Sequence, residues 1–452
     1  MIRVAILGCG MMGQEHVSYI LKYKDSLSIE FLCDPNQSSI DTALSIIENS
    51  PASCRIPRIL SDEKELLQHV HEIDLLVVAS PNYMHTPQIL RWAQHEITIL
   101  VEKPVAISEK QVSALKAALP NCRAKIWVAM EYRFIPAINK LLQLLPEVGE
   151  IKKVTIRENR YPFLSKVGEW NKETEKSGDT LVEKCCHFFD LFRLITGQEM
   201  SSCVSKVHRG LLWDHYGYQD NEDNDVVPII DSAYVLLDFV NPSRLEKPRK
   251  NSTMHSTLGC LELCMFAEGS RHQEEIIVTG MKGRIEAYLP ENKVFLYQRP
   301  TPAGPWKDKS KPPPLDSFSE VVYDCSDLRQ VYDFADDIPE MHSGYHYCST
   351  AIEWKYLIDA IKESEKGNLF VPKVSLDDGI KAVEMGISSM NNITNEESRS
   401  KIAPVRAFSS QSSENLLDLV LSSALATSHG HVKEAFMRVI DACDGEYKVN
   451  FE

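Results

Sequence analysis

Arg3-Val4-Ala5-Ile6-Leu7, followed at once by Gly8-Cys9-Gly10-Met11-Met12-Gly13, constrains the fold more than any other part of the chain. The residues before the first glycine favour a strand, and Val17, Ile20 and Leu21 beyond the last recur at helical spacing. Each glycine between such a strand and helix has its own use: a tight turn, close approach of the backbone to a pyrophosphate, packing of helix on strand. The helix N-terminus adds free N–H groups and the positive end of a dipole. A second strand over 29–33 ends in Asp34. An acidic side chain there accepts the ribose hydroxyls of an adenosine and repels a 2′-phosphate, so NAD is expected in preference to NADP.

The alternation then continues. A third strand over 73–79 ends in Ser80-Pro81-Asn82, a helix is expected over 86–94, and a fourth strand over 97–101 stops at Glu102-Lys103-Pro104. A helix over 108–119 with Ser108 as N-cap and a strand over 125–130 follow. Strands and helices alternating on short connections predict an α/β Rossmann domain, a doubly wound parallel sheet. Ligands of such a sheet sit beyond the carboxyl ends of its strands, which puts Lys103 beside the nucleotide.

After Gly149 the pattern becomes strand-dominated, with candidates over 150–157, 229–239, 258–266, 275–279, 284–288 and 293–297. Gly280-Met281-Lys282-Gly283 reads as a hairpin connection, and the alternation predicts an α+β domain with an open-faced, largely antiparallel sheet. Ahead of that sheet, Asp179 or Thr180 can cap a helix running to 194, with Gly197 beyond its end. Glu183, His187 and Asp190 then share one helix face. The tail holds a helix over 380–390, a polar linker over 408–413, and two amphipathic helices separated by Gly430.

Composition excludes several classes of partner. A net charge of -15 speaks against a nucleic-acid backbone, and no apolar run is long enough to span a bilayer. The 12 cysteines include no CxxC and no zinc spacing, so no metal site is expected, and free thiols suit a reducing cytoplasm. Acidic 214–225 and proline-rich 300–314 read as surface loops.

Four motifs together carry a resemblance: Gly8-x-Gly10-x-x-Gly13, Pro81-Asn82-x-x-His85, Glu102-Lys103-Pro104 and Tyr132-Arg133-Phe134-x-Pro136. In order and spacing they are similar to the Gfo/Idh/MocA oxidoreductases, a family that includes inositol and glucose–fructose type dehydrogenases. The segment 178–190 resembles that family's G-G-x-x-x-D-x-G-x-H-x-x-D motif, and 371–379 its closing V-S-x-x-D-G segment. The resemblance implies a dinucleotide-binding domain over 1–131 and a substrate and oligomerisation domain over 132–405; beyond its reach, the linker and the two amphipathic helices make an extension over 406–452. It further implies a homodimer or homotetramer, a catalytic role for Lys103, and a proton-accepting role for His187. Glu183 and Lys184-Cys185 depart from the motif, which has Asp and an apolar–Gly pair there.

The chemistry agrees with the resemblance. Oxidising an alcohol removes a hydride from carbon and a proton from oxygen; histidine can take the proton, and a nearby cation stabilises the developing alkoxide. The candidate catalytic residues are therefore His187, Lys103 and, as substrate or histidine orienter, Glu183. Candidate cofactor contacts are Gly8, Gly10, Met11, Met12, Gly13, Asp34, Ser80, Pro81, Asn82, His85, Glu102 and Lys103; candidate substrate contacts are Arg160, Trp170, His187 and His342. The expected reaction is hydride transfer between NAD(P) and a secondary alcohol of a polyol, inositol or sugar. The alternatives are a glycosidase that uses NAD without net redox change and a non-catalytic NAD-binding regulator.

Overall fold

The computed structural model describes residues 1–50, 55–210, 228–241, 256–299, 310, 319–338, 346 and 348–394. His342, acidic 214–225, most of the proline-rich stretch and the extension over 406–452 lie outside the described residues. Met1–Ile393 form one compact unit built on two sheets.

The first sheet is six-stranded and parallel throughout: β1 (Ile2–Leu7), β2 (Leu27–Cys33), β3 (Arg58–Leu60), β4 (Leu75–Val78), β5 (Thr98–Glu102) and β6 (Lys125–Ala129). Their spatial order is β3-β2-β1-β4-β5-β6. All four residues of β4 and all five of β5 are buried, as expected of strands covered by helices on both faces. The order reverses direction between β1 and β4, which opens a crevice at their carboxyl ends.

The helix after β4 begins at Asn82, four residues earlier than the pattern suggests, and runs through Pro87 to Trp92. Proline in a helix leaves the carbonyl four residues back without its partner. Here that carbonyl belongs to Tyr83, and Gln111 Nε2 donates to it at 3.1 Å. A tertiary contact thus removes the penalty that a local reading assigns to Pro87.

The second sheet has eight strands, in the order β14-β13-β12-β11-β7-β10-β9-β8. They are β7 (Ile151–Asn159), β8 (Glu199–Arg209), β9 (Ile230–Val240), β10 (Thr257–Cys264), β11 (Glu274–Gly280), β12 (Gly283–Leu289), β13 (Lys293–Gln298) and β14 (Ser319–Asp324). All pairings are antiparallel except β7 with β10, whose chain returns by way of helices and the β8–β9 hairpin. β8 and β14 add two strands to those expected from the pattern. On the outward face Val204, Tyr234, Leu236 and Leu258 are each more than half exposed.

The segment before β8 differs from the single helix expected. It forms Thr180–Glu183, a break at Lys184-Cys185, and then Cys186–Thr196. At the break Lys184 and Cys185 N–H both donate to Thr180 O, at 3.0 and 3.1 Å, widening the turn. Glu183 and His187 therefore do not stack on one regular helix face, and the Glu183 carbonyl is turned to tertiary donors. Gly197 ends the helix in the left-handed region at φ 61°.

Asp190 ties this helix to the segment that follows β6. Arg133 Nε and Nη2 each donate to its carboxylate at 2.5 Å, and both side chains are largely buried. Removing one partner of a buried bidentate pair leaves the other charge uncompensated. Asp190→Ala should destabilise the protein by about 3–5 kcal/mol, read as a lowered urea midpoint; an unchanged midpoint would contradict this assignment.

Candidate functional site

A cleft of about 560 Å³ occupies the crevice beyond β1 and β4. Its wall includes Gly8, Gly10, Met11, Met12, Asp34, Ser80, Pro81, Asn82, His85, Glu102, Lys103, Lys166 and Trp170. Almost all the residues expected to contact a dinucleotide thus line one cavity, together with Trp170.

The glycine loop is shaped by close approach. A Cβ at Gly13 would lie 2.0 Å from Gly8 O, and one at Gly8, where φ is +98°, would lie 2.5 Å from the Ala79 backbone. A Cβ at Gly10 would meet nothing within 4 Å, because this residue faces the open cleft at the start of helix Met11–Lys22. Asp34 accepts from the backbone N–H groups of Cys9 and Asn36, both at 2.7 Å, and so ties the loop to the end of β2. A carboxylate has about four lone-pair sites, which leaves acceptor capacity for ribose hydroxyls. The empty side of Gly10, the helix N-terminus and Asp34 together fit a dinucleotide.

Other expected cofactor contacts turn out to be braces between strand ends. The ring nitrogens of His85 lie 2.8 Å from Pro104 O and Ser80 O, and Lys103–Pro104 is a cis bond. Glu102 Oε1 lies 3.0 Å from His16 Nε2, whose other ring nitrogen is 3.2 Å from Trp354 Nε1. Asn82 Nδ2 donates to Ser177 O at 3.1 Å and to the Glu183 carboxylate.

Lys103 ends β5 and reaches across to the second domain, where its Nζ donates to Glu183 O at 3.2 Å. The break after Glu183 is what makes that carbonyl available. Burial pulls the Lys103 ammonium down, but Glu183, Glu131 and Glu102 outweigh it and hold the group above its ordinary value. Burial likewise disfavours the Glu183 carboxylate, yet Lys103, Lys166 and Asn82 bring it to about 2. Lys166 Nζ donates to Glu183 Oε1 at 3.2 Å and lies 4.5 Å from the centre of the Trp170 ring. The carboxylate of Glu183 is thus engaged by Asn82 and Lys166 rather than by His187.

His187 is 2% exposed. Burial, with repulsion from Lys103, Lys184, His346 and Arg160, pushes its pKa well below the ordinary value, so the imidazole is neutral near pH 7. Its ring meets Tyr132 edge to face at 4.6 Å between centres. Tyr132 OH in turn accepts from Lys184 Nζ and donates to Glu274 Oε1, both at 2.7 Å. Arg160 lies beneath, 3.4 Å from Glu158 Oε1.

Sequence reasoning passed over Glu131, Lys166, Lys184 and His346 as site residues. Glu131 follows β6 as Lys103 follows β5, so applying the strand-end rule to β6 would have found it. His346 lies in the stretch from which His342 was chosen. Lys166 carries no local signal, because a loop brings it to the site.

Comparison with known proteins agrees with this geometry. The family model described as "Oxidoreductase family, NAD-binding Rossmann fold" matches residues 2–130, and "Oxidoreductase family, C-terminal alpha/beta domain" matches 146–397. Inositol 2-dehydrogenase of Rhizobium meliloti is 24% identical over 206 residues, 45% of this chain and 58% of that one. The 2,7-anhydro-N-acetylneuraminate hydratase of Escherichia coli is 23% identical over 294 residues, 64% of this chain and 68% of that protein. Two other curated relatives are matched over 52% and 60% of their lengths, so the chain spans little more than half of each. Among solved structures, the WlbA dehydrogenase of Bordetella pertussis, in complex with NADH and UDP-GlcNAcA, matches at a TM-score of 0.60 and 16% identity, over 86% of this chain and 95% of that one. Levoglucosan dehydrogenase, in complex with NADH and levoglucosan, matches at 0.63 and 15%, over 86% and 96%.

The glycine loop separates folding from binding. Gly10→Ala should leave the melting temperature within a degree or two and weaken nucleotide affinity roughly tenfold or more, since the methyl enters the cleft. Gly13→Ala should lower the melting temperature as well, because a backbone carbonyl stands where its methyl must go. Calorimetry and thermal melts on both variants check the contrast.

Proposed function

The chain belongs to the Gfo/Idh/MocA oxidoreductase family, with an NAD-binding Rossmann domain ahead of the family's C-terminal α/β domain, and we propose that it is an NAD-dependent dehydrogenase acting on a secondary alcohol of a polyol, inositol or sugar. The observation that carries this reading is Lys103. Its ammonium lies in the cleft wall and is bonded to the carbonyl of Glu183, four residues before the buried, neutral His187.

Each group has a part that follows from its surroundings. Gly10 and the N-terminus of helix Met11–Lys22 hold the pyrophosphate, and Asp34 takes the adenosine ribose hydroxyls. A dinucleotide held there would supply the nicotinamide as hydride acceptor. Lys103, kept cationic by Glu183, Glu131 and Glu102, stabilises the alkoxide as it forms. His187 takes the hydroxyl proton. Trp170 offers an apolar ring face of the kind a sugar packs on, with Lys166 and Asn82 as polar partners at the same wall.

The substrate class is supported by relatives named as inositol 2-dehydrogenase and by a levoglucosan dehydrogenase of similar fold. A hydratase among the relatives favours keeping a second reading, chemistry without net redox change. A pure regulator is disfavoured, since the ion cluster around Lys103 and Glu183 adds nothing to nucleotide binding alone. The exposed apolar residues on the outer face of the second sheet support a homo-oligomer.

Incubation with NAD and a panel of polyols and glycosides separates the readings. Accumulation of NADH supports the dehydrogenase, sugar release without NADH the redox-neutral enzyme, and tight NAD binding with neither result the regulator. On the dehydrogenase reading, His187→Ala should lower kcat several-hundredfold, about the contribution of a general base, with NAD affinity retained. Asp34→Ala should weaken NAD and improve NADP, because the carboxylate that repels a 2′-phosphate is gone; an unchanged ratio of the two affinities would remove Asp34 from the cofactor site.

A further inference from the structure

His187 has a carboxylate neighbour, and it comes from the first domain. Glu131 Oε1 lies 3.4 Å from His187 Nε2, and both residues are at least nine-tenths buried. The other ring nitrogen, Nδ1, is buried with no hydrogen-bond partner. A proton on Nδ1 would be an orphaned buried donor, whereas a proton on Nε2 meets a carboxylate. The environment therefore selects the tautomer with its proton on Nε2, facing Glu131. Behind Glu131 stands His346, with Nε2 at 3.8 Å from the same oxygen and Nδ1 at 2.8 Å from Glu15 Oε1. Glu15 also accepts from Thr350 Oγ1 at 2.8 Å. His346 and Glu15 are each about a quarter exposed.

We propose that Glu131 is the positioning and proton-accepting partner of His187, with His346, anchored by Glu15, facing Glu131 from its other side. The inference rests on the dehydrogenase reading for its chemistry, though not for its geometry. In the oxidative direction the bare Nδ1 of His187 takes the substrate hydroxyl proton as the carbon–hydrogen bond breaks and the hydride passes to a bound NAD. The imidazolium so formed gives its Nε2 proton to Glu131 Oε1. The carbonyl product departs, Glu131 returns its proton to Nε2, and the proton on Nδ1 leaves to water. One proton and one hydride leave the alcohol, and the residues return to their starting state.

The charges around the dyad fit this use. Burial, with Glu102, leaves the pKa of Glu131 raised even against the His346 and Lys103 cations, as suits a group that accepts a proton. Glu353 and Cys186, on the helices packed nearby, also feel the Glu131 charge. His346 is held at about 9 despite its burial, mainly by Glu15 and then Glu131, so it is a cation at neutral pH. Lys103, Lys184, His346 and Arg160 all disfavour charge on His187, which makes handing its proton onward more favourable than keeping it.

Two variants move the acid limb of the kcat/KM profile for alcohol oxidation in opposite directions. Glu131→Gln removes the terminal acceptor and the counter-charge of a protonated His187. It should lower kcat by roughly a hundredfold or more, change KM much less, and move the acid limb to lower pH. His346→Gln removes the cation that holds the Glu131 pKa down and relieves repulsion on His187, so the limb should move to higher pH. A structural role alone would affect folding or KM and leave the limb where it was; limbs that stay put in both variants overturn the proposal. A second measurement needs no turnover. With ¹⁵N-histidine, and His187 assigned by difference against His187→Asn, the wild-type protein should show a protonated Nε2 and a bare Nδ1. A proton on Nδ1 overturns the proposal even if the enzyme is a dehydrogenase. Absence of NADH with every alcohol tested would sink the dehydrogenase reading and leave the tautomer result to decide this one.

Discussion

The contact between Lys103 and Glu183 joins the end of a parallel strand to a broken helix in the other half of the molecule. Much of the cleft's shape follows from it. Taking an ammonium and a carboxylate out of water is costly, and the interaction holds only because every charge in the cluster has a partner. Lys166 and Asn82 complete the set on the carboxylate side, while Glu131 and Glu102 add negative charge around the ammonium. The result is a cation held rigidly in the wall of a nucleotide cleft.

Placing the cation there needs two irregularities. β5 stops at Glu102, and His85 braces the turn that follows, its ring nitrogens lying against Pro104 O and, from the end of β4, Ser80 O. The helix carrying His187 opens at Lys184-Cys185, which frees the Glu183 carbonyl to receive the ammonium. The opening also lets Lys184 turn toward Tyr132 and Glu158, so the substitution for an apolar residue builds a polar floor beneath His187. Regular elements carry the site, and their interruptions aim it.

Much of this was legible in the chain. The Gly8–Gly13 loop, Asp34 and the strand-end position of Lys103 follow from period, spacing and turn chemistry, and the structure lines one cleft with them. The helix through Pro87 was expected, but its start at Asn82 was not, since the donor that serves the Tyr83 carbonyl, Gln111, belongs to another helix. The role of orienter went to Glu183 because a regular helix puts residues four apart on one face. In the folded chain, the carboxylate nearest His187 Nε2 is Glu131, which is 56 positions away.

Local order and reach mark the division. The sequence by itself determined two sheets of different kind, a phosphate-binding turn, and an ammonium at a strand's carboxyl end, because each depends on neighbours a few residues away. Tertiary structure alone decided which carboxylate meets which base, since buried charges choose partners by proximity in space and by the cost of leaving any of them unpaired.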